Sequence, residues 1–179
     1  MYLNIKYVKD YVDGEKIDIF KDDIDWGDVQ YTRRECFMSD EPREYQYIED
    51  GPIYESIPFH PLVKEIMGKI NKEFGYKLDV CFLNFYKDQR KALGWHADDS
   101  HPIDQTQPIA VVSFGSEREI WWKPMDYKGE IPSKWRQLLN DGSLFIMPSG
   151  MQDTHKHKIP KHDRECGARV SLTFRCWKK

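Results

Sequence analysis

His96-Ala97-Asp98 places an imidazole and a carboxylate two residues apart, and His157 follows Asp98 after 58 intervening residues. On an extended segment the side chains at i and i+2 project to the same side, so His96 and Asp98 can converge on one point. Two imidazoles and one carboxylate hold one face of a non-haem Fe(II), leaving the other positions for a chelating co-substrate and dioxygen. Six histidines and 30 acidic residues make a chance His-x-Asp common, so the pattern needs support from elsewhere in the chain.

Support comes from the C-terminal segment Arg169-Val-Ser-Leu-Thr-Phe-Arg175. Read as a strand, it puts Arg169, Ser171, Thr173 and Arg175 on one face and Val170, Leu172, Phe174 and Cys176 on the other. With the apolar face packed on a second sheet, two arginines and two hydroxyls point into a cavity. A buried arginine needs a partner, and two fixed guanidinium forks suit a small dicarboxylate. Asn84 and Tyr86, two apart on their own strand, can point inward and donate to the same ligand. The plainer alternative is an edge strand with its polar side chains in water.

The elements that position these residues are legible from patterning. Pro61 suits a first helical position, Leu62, Val63, Ile66, Met67, Ile70 and Phe74 form an apolar stripe at helical spacing, and Gly75 ends it. The β-branched and aromatic runs at 79–86, 109–115, 119–123, 143–147 and 169–176 read as strands. Five strands after one long helix, without βαβ alternation, predict an antiparallel or mixed sheet closed into a sandwich or barrel: mainly β with flanking helices, an α+β fold. Residues 1–30 read as a strand or short helix and then loop, 26–54 as an aromatic-studded loop, and 135–139 as one helical turn.

The 179 residues suit one domain. With 40% apolar and 14% aromatic residues the chain is no disordered polymer. Its longest apolar runs have strand length, which predicts no membrane span, and the first residues carry no basic-then-apolar pattern, which predicts no secretory signal. The expectation is a soluble, intracellular, monomeric protein. Cys36, Cys81, Cys166 and Cys176 form no CxxC pair and read as reduced thiols. The net charge of −3 conceals an asymmetry: residues 1–60 carry seven basic and 15 acidic residues, whereas 150–179 carry eight basic and three acidic. Such a basic segment is either a face for a polyanion or a solvated surface.

Asn84-Phe-Tyr86-Lys-Asp, Gly94-Trp-His96-Ala-Asp98-Asp99, 108–115 (PIAVVSFG), 141–147 (DGSLFIM), His157-Lys-Ile-Pro160 and the 169–175 segment occur in the order of the AlkB family of Fe(II)- and 2-oxoglutarate-dependent dioxygenases, which the chain resembles from about residue 26 onward. The resemblance implies a double-stranded β-helix (jelly roll) with an N-terminal nucleotide-recognition lid. It implies one dioxygenase domain over 1–179, with 1–60 as extension and substrate lid and 61–179 as helix plus jelly-roll core. His96, Asp98 and His157 take the place of the iron ligands. His155 competes for the third position, but His157 precedes the Lys-Ile-Pro that matches the family's His-x-[IL]-Pro. Asn84, Tyr86 and Arg169 match the clamp on the distal carboxylate of 2-oxoglutarate, Arg175 the contact near its chelating end, and Thr173 a lining residue. The implied activity is oxidative demethylation of N-alkylated bases in DNA or RNA, consuming dioxygen and releasing succinate, CO2 and formaldehyde.

On the substrate side, Tyr45 and Tyr47 fall where the family has aromatic lid residues, with Tyr47 the candidate to stack on an extruded base. Arg33 and Arg34, with Lys87, Arg90, Lys91, Lys156 and Lys158, are candidates for backbone phosphates. The chain departs from the family at Ser100, where members that repair methylated bases usually carry an acid two residues after the iron-ligating aspartate. Two alternatives stay open: an AlkB-like oxygenase with another substrate, such as a hypermodified base, a protein or a small molecule, and a non-catalytic nucleic-acid-binding module.

Overall fold

In the computed structural model, which describes residues 3–26, 33–46 and 50–179, the N-terminal part contributes strand β1 (Lys6–Val8), helix α1 (Ile17–Asp22), β2 (Arg34–Ser39) and the short strands β3 (Glu44–Gln46) and β4 (Ile53–Glu55). Helix α2 (Pro61–Phe74) follows. Then come β5 (Val80–Tyr86), β6 (Leu93–His96), β7 (Ile109–Gly115), β8 (Arg118–Pro124), β9 (Arg136–Leu139), β10 (Leu144–Met147), β11 (His155–Ile159) and β12 (Arg169–Arg175). A large sheet has the order β1-β10-β7-β12-β5-β2, a smaller one the order β6-β11-β8-β9, and β3 pairs with β4 alone. These ladders are all antiparallel. The result is the expected jelly roll: mainly β, with the helices on its outside.

Helix α2 forms as its sequence dictates. His60 Nδ1 accepts from the Leu62 N–H at 3.2 Å, Pro61 occupies the first turn, and Gly75 closes the helix in the left-handed region at φ 71°. Val63, Ile66, Met67 and Ile70 are buried on one face. Each contributes roughly 1.5–3 kcal/mol by leaving water.

That face covers the large sheet, and here one expectation is reversed. The apolar side chains of β12, Val170, Leu172 and Phe174, pack with Val63, Ile66 and Ile70 of α2 and Phe20 of α1, rather than on a second sheet. The polar side, Arg169 to Arg175, is the one facing the smaller sheet. A strand whose alternate positions are polar can still be buried on both faces if the polar face closes over a site. All seven β12 residues are buried.

Two other segments differ from their sequence reading. Residues 135–139 are not a helical turn: a 3₁₀ turn at Ser133–Trp135 gives way to β9, whose Arg136 and Leu138 pair with Trp121 and Glu119. Within 26–54, β2 adds a full edge strand to β5. Cross-strand pairing supplies what these segments lack in propensity. Among the described residues no helix is long and apolar enough to cross a membrane.

Candidate metal centre and co-substrate pocket

The register of the smaller sheet sets His157 of β11 directly opposite His96 of β6, with ring centroids 4.1 Å apart. Asp98 lies two residues past the end of β6 and is 1% exposed. Its backbone is pinned on both sides: the N–H donates to Gln152 Oε1 at 3.0 Å and the carbonyl accepts from Gln105 Nε2 at 2.8 Å. The carboxylate then stands 3.8 Å from His96 Nε2 and 3.9 Å from His157 Nε2. One ligand atom from each of the three residues lies within 4.8 Å of the others. His155 also points inward on β11, but it sits opposite Pro124 and pairs through Nδ1 with Thr154 Oγ1 at 2.8 Å.

Electrostatics leave the trio in the state a metal requires. Burial alone would raise the Asp98 carboxyl, yet Arg175, whose Nη2 is 2.9 Å from Oδ1, and the two histidines outweigh it and hold the group at about 2. Burial, reinforced by His96 and Arg175, pushes His157 down to about 3, and burial lowers His96 as well. At neutral pH the site therefore holds a carboxylate and two neutral imidazoles. His96 Nδ1 lies 2.8 Å from the Gly94 carbonyl; donation to it leaves the Nε2 lone pair facing Asp98. Beyond the ion pair with Arg175, neither Asp98 oxygen accepts a well-formed hydrogen bond among the described residues. The donor set fits Fe(II).

Beside this trio lies the pocket lined by the polar face of β12. Cross-strand rows build its floor: Tyr86, Arg169 and Gly115 in one, Asn84, Ser171 and Ser113 in the next, Phe82, Thr173 and Val111 in the third. Two fully buried arginines, Arg118 and Arg169, lie against the Tyr86 ring, and their hydrogen bonds set them apart. Arg118 gives its donors to the backbone carbonyls of Asp88, Lys91 and Pro160. Arg169 donates from Nη2 to Ser113 Oγ at 2.9 Å and has the Tyr86 side chain as a further hydrogen-bonding neighbour, while its buried Nε and Nη1 make no well-formed hydrogen bond among the described residues. Its guanidinium lies over the Tyr86 ring, 5.2 Å from the centroid. Burial pushes its pKa down to about 10, so it remains a cation at neutral pH. A buried cation with two unused donors is a seat for an anion, and a carboxylate matches its fork.

The family model described as the 2OG-Fe(II) oxygenase superfamily matches residues 14–175. The chain belongs to this superfamily. Its relatives place it in the AlkB branch. It is 26% identical over 84% of its length to alpha-ketoglutarate-dependent dioxygenase alkB homolog 3 of Homo sapiens, covering 49% of that protein. It is 31% identical over 72% of its length to DNA oxidative demethylase ALKBH2 of Homo sapiens, covering 51% of it. The chain thus spans about half the length of the curated relatives it matches. The solved structure of OsALKBH1 superposes with a TM-score of 0.66 at 17% identity, covering 98% of this chain and 97% of that one, and so shares the fold.

In this AlkB-branch oxygenase the substrate-side residues are less uniformly placed than the ligands. Arg33 is inside the pocket, where its Nε donates to Asn84 Oδ1 at 2.6 Å and its guanidinium pairs with Glu35. The cavity among the pocket's side chains has a volume of about 30 Å³. Arg33 also lines the neighbouring basic cleft with Arg34. Arg34 lines that cleft, of about 400 Å³, with Arg33, Phe85, Lys87, Asp88, Arg90 and Lys91. Tyr45 is 1% exposed and packs against Phe37, Phe82 and Trp177, so its ring has no free face for a base. What it presents is its hydroxyl, 2.8 Å from Ser100 Oγ. Tyr47 lies outside the described residues. Gln105, Gln152 and Arg118 position the site without any motif in the sequence to announce them. Their signal is a polar side chain bonded to remote backbone, buried at Gln152 and Arg118 and half-buried at Gln105, which exists only in three dimensions.

Proposed function

We propose that this oxygenase removes alkyl groups from the ring nitrogens of bases in DNA or RNA, using Fe(II), 2-oxoglutarate and dioxygen. The observation that carries the reading is the contrast between the two buried arginines: Arg118 is saturated by backbone carbonyls, whereas Arg169 keeps Nε and Nη1 unused beside a three-residue metal-ligand set. A non-catalytic binding module has no use for a desolvated cation beside a ligand trio. The relatives, which include a DNA oxidative demethylase, support the choice of nucleic acid.

His96, Asp98 and His157 would hold the iron, which with co-substrate and oxygen supplies the oxidation of an alkyl C–H bond. The remaining work belongs to the protein's own side chains. Arg169 receives the distal carboxylate of 2-oxoglutarate, with Tyr86 and Asn84 beside it and Thr173 along the wall. Arg175 keeps Asp98 ionised. The β2 strand and the β3–β4 hairpin serve as the substrate lid, bringing Arg33 and the Tyr45 hydroxyl to the site. The target atom of an alkylated base lies on its pairing edge, so the base must arrive single-stranded or flipped.

We infer that base choice turns on Ser100: a neutral hydroxyl, held by Tyr45, stands where the resemblance implies that base-repairing members usually carry an acid. The test is mass spectrometry of nucleosides after incubation with mixed alkylated DNA and RNA, with succinate measured in parallel. Loss of one or more N-methylated nucleosides with stoichiometric succinate is expected. Succinate release with no alkylated nucleoside consumed would overturn the assignment of substrate.

A further inference from the structure

The outer face of the smaller sheet, turned away from the metal centre, carries an array that the proposed reaction does not use. Alternation along β11 sends His155, His157 and Ile159 inward and Lys156 and Lys158 outward. On β8 the same alternation sends Trp121 and Lys123 outward, and on β6 Trp95 lies outside because its neighbour His96 lies inside. Register then aligns Lys158 with Trp121 and Trp121 with Arg136. Cations and indoles alternate across all four strands. Lys158 Nζ lies 4.9 Å from the Trp95 ring and 4.4 Å from the Trp121 ring, Arg136 4.2 Å from Trp121, and Lys123 4.9 Å from Trp95.

From this juxtaposition we infer that the outer face of the smaller sheet is a second binding surface, one that takes the phosphate backbone of a nucleic-acid strand. Charge complementarity selects the occupant. Among the described residues none of Lys123, Arg136, Lys156 and Lys158 forms a salt bridge with a carboxylate. The acid on this face, Glu119, accepts from the Trp121 indole N–H at 2.7 Å. Lys156 and Lys123 stand directly opposite each other, a like-charge pair that costs stability in an antiparallel ladder unless an anion lies over it. The indoles hold Lys158, Lys123 and Arg136, the last two also donating to the carbonyls of Tyr127 and Ile131 at 2.8 and 2.6 Å, so little side-chain freedom remains to be given up when phosphates dock. This inference is independent of which base the metal centre acts on.

The experiment is fluorescence anisotropy of a short, unmodified, labelled oligothymidylate, which the enzyme cannot demethylate, so failure of the demethylation reading leaves this test intact. Wild type is compared with Lys123→Glu/Arg136→Gln and with Trp121→Ala, each first shown to melt as a folded protein. The charge variant is expected to bind roughly tenfold or more weakly, with a salt slope shallower by about 0.7 for each phosphate it no longer neutralises. Trp121→Ala, which frees the cations, is expected to weaken binding less. Unchanged affinity and slope in the charge variant would overturn the proposal, as would Lys123-dependent binding to phosphatidylserine vesicles but not to the oligonucleotide. A Trp121→Ala protein that binds as tightly as wild type would reduce the face to unordered surface charge and overturn it equally.

Discussion

Arg175 Nη2 lies 2.9 Å from Asp98 Oδ1, so the carboxylate of the metal-ligand set is held ionised by a cation of the protein itself. The pair couples the last residue of β12 to the loop after β6, that is, the large sheet to the smaller one. Removing one partner of a buried ion pair leaves an uncompensated charge, at a cost of about 3–5 kcal/mol. Arg175→Met is therefore expected to melt well below wild type without metal and to recover part of the loss with Mn(II), whose charge replaces the guanidinium beside Asp98. Equal destabilisation with and without Mn(II) would show that Arg175 does not neutralise Asp98.

The ligand assignment predicts that His96→Ala, Asp98→Ala and His157→Ala each abolish Fe(II)-dependent succinate formation. His155→Ala should retain most of it, because that ring bonds to Thr154 rather than joining the trio. Substantial turnover by the His157→Ala protein would mean that a different histidine completes the set.

Two buried donors of Arg169, Nε and Nη1, make no well-formed hydrogen bond among the described residues. Arg169→Ala removes a charge-assisted interaction worth ~1.5–3 kcal/mol, and the KM for 2-oxoglutarate should rise by roughly an order of magnitude or more. An unchanged KM would remove Arg169 from the clamp.

The Ser100 hydroxyl, bound to Tyr45, is neutral and both donates and accepts. Activity on N-methylated bases without an exocyclic amine is expected. Ser100→Glu should shift preference toward 1-methyladenine and 3-methylcytosine by about 1–3 kcal/mol, because a carboxylate accepts from the amine. Competition between single-lesion oligonucleotides measures this, and identical ranking by both proteins would mean that position 100 does not face the base.

The thiol of Cys36 is pushed up from its ordinary 9.0 to about 12, first by burial and then by Asp25. The folded state thus keeps a proton that the unfolded chain releases. This contribution is fully present below pH 9.0 and is lost as pH rises through about 12. Urea melts of Cys36→Ala should show a shallower fall in stability over that window than wild type. Parallel curves would mean that Cys36 ionises alike in both states.

Much of the site was legible in the chain because chemistry of this kind constrains residue type and order. The His96-Ala-Asp98 spacing and the alternation from Arg169 to Arg175 follow from local geometry, His157 is singled out by the resemblance of His157-Lys-Ile-Pro160 to the family motif, and α2 announces itself by its stripe, its proline and its glycine. Strands carrying the ligands were harder to see. β11 reads His-Lys-His-Lys-Ile, polar on both faces, because its inner face holds ligands rather than core and its outer face holds cations. Hydrophobic periodicity has nothing to report there.

What only the tertiary structure decided is which face of each element meets which neighbour. Sequence alternation assigns Val170, Leu172 and Phe174 to one side of β12, but it is the docking of α1 and α2 on that side that turns Arg169 and Arg175 toward the smaller sheet. The same holds for the two buried arginines. Arg118 and Arg169 are equivalent as letters; the backbone carbonyls of Asp88, Lys91 and Pro160 saturate one and leave the other its donors. A residue's type sets what it can bond to, whereas the fold sets which of those bonds are already made, because partners remote in sequence meet only when the sheets close.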